Sequence, residues 1–210
     1  MNEVMSAILS RRSTRKFTDQ PISEDILNDI VKAALHAPSG MGKQTWQFTM
    51  ITNKEVISRL ADTIAKELDR KGYDIYKPAA LLMVSNITGG NWTKEDNACA
   101  LENAFLAAHS YGVGSVWINQ MQNINDRPAI RAILDELGVP SDHSVTGMAA
   151  LGYADPETPI RPIERIGKVV FVKLILIFPI IKSCGSLFTE AQLFFRNFAF
   201  LFLETNHLTW

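Results

Sequence analysis

Arg11-Arg12-Ser13-Thr14-Arg15-Lys16-Phe17 sets four cations, two hydroxyls and one aromatic ring in seven consecutive residues. Guanidinium forks grip an organic phosphate bidentately, and hydroxyls and amides serve the remaining oxygens. A solvated basic turn or a crude nucleic-acid patch would use the same residue types. On its N-terminal side, Val4, Met5, Ile8 and Leu9 share one helical face, so a helix over Glu3 to Ser10 delivers the basic segment at its end. On its C-terminal side, Ser23 is an N-cap signal before a stripe of Ile26, Leu27, Ile30, Val31, Ala34 and Leu35, which predicts a helix to His36. Pro38 and Gly40 stop that helix. The loop Ala37-Pro38-Ser39-Gly40-Met41-Gly42-Lys43-Gln44-Thr45-Trp46 then leads into a strand over Trp46 to Thr52, where Trp46, Phe48 and Met50 alternate with Gln47, Thr49 and Ile51.

The rest of the chain continues the alternation. Asn53 caps a helix carrying Val56, Ile57, Leu60, Ile64 and Leu68, with Gly72 expected at its end. Pro78 to Ser85 is a short apolar run that predicts a buried strand. Thr93-x-x-Asp96 has the spacing of a capping box and opens an alanine-rich helix through Leu101 and Phe105 to Gly112. Strands are expected at Gly114 to Gln120, Val145 to Tyr153 and Lys168 to Val172. Pro128 to Leu137 is expected as a helix closed by Gly138. Such alternation indicates a layered domain of sheet and helices.

The chain of 210 residues is 47% hydrophobic, enough for one sizeable core. A net charge of -1 gives no global field toward nucleic acid or an acidic membrane, which weakens the nucleic-acid reading of the basic heptamer. Cys99 and Cys184 make no disulfide framework, and the four histidines are scattered, so no metal centre is expected. Met1-Asn2-Glu3-Val4 starts no secretory signal, and a cytoplasmic location is expected. There is no G-x-G-x-x-G, so no separate dinucleotide-binding domain is expected.

Taken together, the two stretches resemble the nitroreductase family of flavoproteins. In that family R-R-S-x-R-x-F is followed by a helix and then by a P-S-x-x-N-x-Q-x-W loop running into a strand. The resemblance continues through Gly112-Val113-Gly114-Ser115-Val116-Trp117-Ile118 and Ala150-Leu151-Gly152-Tyr153, and covers residues 1–173. It implies an α+β three-layer sandwich with a mainly antiparallel central sheet, built as an intertwined homodimer with FMN at the subunit interface. It also implies a ping-pong exchange in which NADH or NADPH delivers hydride and a small aromatic acceptor, such as a nitroaromatic or a quinone, receives it.

By the same resemblance, Arg11 and Ser13 hold the FMN phosphate and ribityl end, with Arg12 close by through its backbone. Arg15 faces the pyrimidine edge of the flavin, where a cation stabilises the reduced anion. Pro38, Ser39 and Gly40 lie against the flavin of the other subunit. The family's loop asparagine falls at Gly42, while Gln44 is retained. Asn119 and Gln120 fall where backbone donors approach the flavin N5, and Gly152 matches a close-approach glycine. A second phosphate cation is expected from Arg161 or Arg165, without a choice between them. No side chain is required as acid, base or nucleophile. Tyr73, Tyr76 and Trp92 are candidates to stack on an acceptor, or simply to pack. Relatives that dehalogenate or fragment flavin share the fold, and no lid of theirs is recognisable.

After Lys173 the composition changes. Residues 174–210 hold seven of the eleven phenylalanines, with only Lys182, Glu190, Arg196 and Glu204 charged. Neither apolar run reaches the ~18 residues of a membrane span. The segment reads as a C-terminal arm for a partner subunit, as an interfacial anchor, or as non-native sequence that leaves an inactive product. The abrupt end of the family pattern favours non-native sequence.

Overall fold

A computed structural model describes residues 1–159, 163–172 and 203–206. The helices are α1 (Glu3–Ser10), α2 (Glu24–Leu35), α3 (Lys54–Glu67), α4 (Thr93–Ser110) and α5 (Pro128–Glu136). The strands are β1 (Gln47–Ile51), β2 (Ala80–Ile87), β3 (Gly114–Ile118), β4 (His143–Gly152), β5 (Val169–Val172) and β6 (Leu203–Asn206). Two compact units result, residues 1–160 and 161–210. In the second, β5 pairs antiparallel with β6 (Val169 with Asn206, Val172 with Leu203) rather than joining the main sheet.

The first unit carries a four-stranded sheet in the order β1-β2-β4-β3, with every ladder antiparallel. Strand alternation sorts its side chains into two cores. Leu81, Met83, Val116, Met148 and Ala150 pack on the side of α3 and α5. Leu82, Val84, Ala149 and Leu151 pack on the side of α2 and α4. The three-layer α+β sandwich expected from the sequence is therefore present. Its central strands β2 and β4 are buried along almost their whole length, because helices cover both faces. Among the described residues no helix is long and apolar enough to cross a membrane.

Helix α4 is the inner helix. Ala100, Ala104 and Ala108 let it pack closely, while Leu101 and Phe105 fill the core between it and the sheet. Burying one such leucine contributes about 2 kcal/mol. Two local expectations fail here. The capping box at Thr93 and Asp96 does not form: Trp92 is the N-cap, without a side-chain cap bond. The Thr93 hydroxyl instead donates to the Ile87 carbonyl at 2.7 Å, and Asp96 accepts from the Gly40 N–H at 2.8 Å. Likewise α3 ends at Glu67, and Asp69 (φ 49°) takes the first left-handed position, so Gly72 lies in the following turn. Asn53 does cap α3, accepting from the Glu55 and Val56 N–H groups. Ser23 stands at the α2 N-cap without a side-chain bond.

Candidate functional site

The basic heptamer leaves α1 and runs along one end of the main sheet. Ser13 bridges Ser115 of β3 in parallel, and Phe17 bridges Ala154 beyond β4. The Thr14 N–H donates to the Ser115 carbonyl at 2.9 Å, and the Asp155 N–H donates to the Lys16 carbonyl at 3.0 Å. Two glycines make room for this. A Cβ on Gly114 would fall 2.5 Å from the Thr14 hydroxyl, and one on Gly152 would fall 2.8 Å from the Phe17 ring. Gly152 therefore seats Phe17, and through it the basic segment.

The cations of the segment are divided by role. Arg12 Nη1 donates to the Leu9 and Arg11 carbonyls at 2.7 and 2.8 Å, so this guanidinium tethers the end of α1. Lys16 pairs with Asp155 at 3.0 Å. The Asp155 carboxyl is held below its usual range, first by the Glu157 N–H and then by Lys16. Arg11 lies over the Phe105 ring at 5.7 Å and, among the described residues, meets only the half-exposed Glu102, at 4.0 Å. Arg15 is exposed and forms no ion pair among the described residues. Ser13 is exposed beside them. Among the described residues three buried polar atoms have no hydrogen-bond partner: Arg12 Nε, Thr18 Oγ1 and Ser115 Oγ. Orphaned polar atoms and weakly paired guanidiniums on one segment have the chemistry that would suit the phosphate of a cofactor such as FMN.

At the end of β3, Asn119 and Gln120 form a turn. The Asn119 N–H donates to Gln120 Oε1 at 3.0 Å, and the Tyr73 hydroxyl donates to the same oxygen at 3.1 Å. Burial pushes the Tyr73 phenol upward, so it serves as a fixed donor. Tyr76 and Trp92 are each 37% exposed. Trp46 and Phe48 pack together in the core on the α2 side.

The third predicted part lies elsewhere. Pro38 is exposed, Ser39 and Gly40 are half-buried, and a 3-10 turn covers Gly40–Gly42. Gln44 is exposed, with φ 49°, and its N–H donates to Ser39 Oγ at 3.1 Å. Gly40 is tied to Asp96 and Arg11 lies over Phe105, nine residues later on α4, about 13 Å along the helix axis. Among the described residues no hydrogen bond or ion pair joins the two segments. Arg161 lies outside the described residues, and Arg165 belongs to the second unit.

Several residues escape a reading by sequence alone. Behind the loop, the Thr45 hydroxyl donates to Asn86 Oδ1 at 2.7 Å and Asn86 Nδ2 donates to Asn97 Oδ1 at 3.3 Å. Asn97 Nδ2 in turn donates to the Thr146 hydroxyl at 2.9 Å. The only sequence signal was polar Ser85-Asn86 at the end of an apolar run.

The model of the nitroreductase family matches residues 8–80 and 74–153. The FMN-bound nitroreductase structure from Bacteroides fragilis is 39% identical, with a TM-score of 0.72, covering 78% of this chain and 94% of that one. A putative NADH dehydrogenase/NAD(P)H nitroreductase from Archaeoglobus fulgidus is 29% identical over 163 residues, 75% of this chain and 88% of its own. An NADPH-flavin oxidoreductase from Vibrio harveyi is 27% identical over 176 residues, 77% of this chain and 70% of its own.

Proposed function

This chain belongs to the nitroreductase family, and on that premise we propose that it is an FMN-dependent oxidoreductase, active as a homodimer, that uses NADH or NADPH to reduce nitroaromatics, quinones or similar small acceptors. The observation that carries the reading is the anion wall at Arg11 to Arg15. It offers the Arg15 guanidinium, which forms no ion pair among the described residues, the Arg11 guanidinium, which meets the Glu102 carboxylate at 4.0 Å, an exposed Ser13 hydroxyl, and Arg12 Nε and Ser115 Oγ, which have no hydrogen-bond partner among the described residues. Arg11 and Ser13 would hold the phosphate end, and Arg15 the pyrimidine edge. Arg161 and Arg165 are the candidates for a second phosphate cation. Asn119 and Gln120 would present backbone donors at the reacting edge, in a turn braced by Tyr73.

Bound FMN supplies hydride exchange in two half-reactions, first with the nicotinamide and then with the acceptor. The protein's part is to neutralise the phosphate, favour the anionic reduced ring with Arg15 and shape the slot above it. Gly40 and Arg11 lie about 13 Å apart along α4, and among the described residues no hydrogen bond or ion pair joins their segments, which accords with a dimer whose sites draw on both subunits. Pro38, Ser39 and Gly40 of one subunit would then face the flavin held by the other, with Gly42 offering no side chain where relatives carry asparagine. A cytoplasmic location accords with this chemistry. We read residues 174–210 as dispensable for it, so truncation after Lys173 should leave flavin binding intact.

The test is the visible spectrum of the purified full-length protein during size-exclusion chromatography. Flavin bands eluting with a dimer that oxidises NADH or NADPH in the presence of a nitroaromatic are expected. A folded protein that stays colourless and monomeric after FMN addition would refute the proposal.

A further inference from the structure

The loop over residues 39–45 is exposed at residues 41–44, and its internal bonds (Gly42 N–H to the Ser39 carbonyl, Lys43 N–H to the Gly40 carbonyl, Gln44 N–H to Ser39 Oγ) close the turn on itself without tying it to the rest of the fold. Met41 (φ 55°) and Gln44 (φ 49°) are non-glycine residues in the left-handed region, and Met41 is 79% exposed. Side chains in that region persist only where surrounding structure holds them. Two groups at the start of α4 hold the loop beside these residues, at Gly40 and Lys43. Asp96, only 6% exposed, accepts the Gly40 N–H at 2.8 Å, at the point where the 3-10 turn begins. Trp92 lies directly over Gly40, since a Cβ there would fall 2.5 Å from the indole. Lys43 also stands over the same ring, 5.7 Å from its centroid.

A buried carboxylate is costly unless it is paired. Here an N–H donor and the first turn of α4 both compensate it, and such a charge-assisted bond is shorter and stronger than a neutral one. Local capping cannot be its purpose, because the helix takes Trp92 as N-cap and Thr93 bonds to Ile87.

We propose that Asp96 is a positioning residue: its carboxylate fixes the Gly40 N–H, with Trp92 closing the other side, and so sets the loop that faces the flavin of the neighbouring subunit. The flavin part rests on the function proposed above; the hold on the loop does not. The effect of Asp96 on the reaction passes through Gly40.

Two readouts on the full-length protein separate these parts. Trypsin cleavage after the exposed Lys43, followed by mass spectrometry, reports loop order whether or not flavin binds. Titration of FMN fluorescence against apoprotein reports the consequence at the flavin. In Asp96→Leu, which keeps the bulk but loses the acceptor, cleavage after Lys43 should rise at least tenfold and the FMN dissociation constant about tenfold. Asp96→Asn keeps an acceptor oxygen and should stay within about threefold of wild type on both. Equal rates in all three proteins, or equal loss in the Asn and Leu variants, would overturn the proposal. Should Asp96→Leu not fold, Trp92→Leu at the partly exposed side of the clamp decides by the same readouts, with cleavage rising about fivefold and unchanged cleavage refuting. If wild type binds no FMN, the functional reading falls, while the trypsin rates still judge Asp96.

Discussion

Gly114→Ala tests the seat of the basic segment. An ideal Cβ at Gly114 falls 2.5, 2.8 and 2.9 Å from Thr14 Oγ1, Cβ and Cγ2. These atoms sit at the root of a short side chain, so no distal rotation removes the overlap. Restoring ordinary contact near 3.5–4 Å requires Thr14 to retreat by about 1 Å. Its N–H donates to the Ser115 carbonyl at 2.9 Å, and that retreat takes the bond beyond hydrogen-bonding distance. The lost bond costs about 1 kcal/mol and the overpacking about 1–3 kcal/mol, while loss of glycine freedom in the unfolded chain returns up to about 1 kcal/mol. A net destabilisation of about 1–4 kcal/mol corresponds to a Tm lower by roughly 2–16 °C at this chain length. Thermal unfolding of the apoprotein, followed by circular dichroism, measures it. Thr14→Gly removes all three opposing atoms, so Thr14→Gly/Gly114→Ala should unfold within about 1 kcal/mol of Thr14→Gly alone. FMN affinity should fall in Gly114→Ala and recover part of that loss in the double variant. A Gly114→Ala protein that melts within about 1 °C of wild type, or one that Thr14→Gly fails to relieve, would refute the close-approach argument.

Other outcomes follow from the same geometry. Arg15→Ala should raise the FMN dissociation constant about tenfold, one charge-assisted contact being worth roughly 1.5 kcal/mol, with the melting temperature of the exposed site unchanged. Tyr73 is raised in the folded state, chiefly by burial, from the ordinary tyrosine value of 10.0. Its contribution is thus fully present below pH 10 and lost as the pH rises further, because the unfolded phenol ionises first. Urea titrations at pH 9 and 11 should show a steeper loss in wild type than in Tyr73→Phe, and equal losses would refute that. Asn97→Ala leaves Asn86 Nδ2 and the Thr146 hydroxyl without their partner in a buried network, so stability to urea should fall by about 2–4 kcal/mol. A change under 0.5 kcal/mol would mean that water replaces the side chain.

Much of the architecture was legible in the chain because its periodicities are local. Alternation at Phe48 and Met50, the apolar run at Ala80 to Val84 and the stripes of α2 and α3 each reflect burial on one face, which period 2 or 3.6 encodes directly. The basic segment was legible too, since four cations in seven residues are unusual in composition alone. The partners of those residues were not. Arg12 turned back onto the carbonyls at the end of α1, Lys16 found Asp155, and Arg11 and Arg15 alone kept weakly paired guanidiniums. Asp96 is the clearest case: three residues from Thr93 it had the spacing of a capping box, yet its partner lies 56 residues away in sequence. Spacing along a helix fixes which side chains share a face, and so determined the layers of this protein by itself. Which donor a buried carboxylate meets depends on how separate elements stack, and only the tertiary structure decided that.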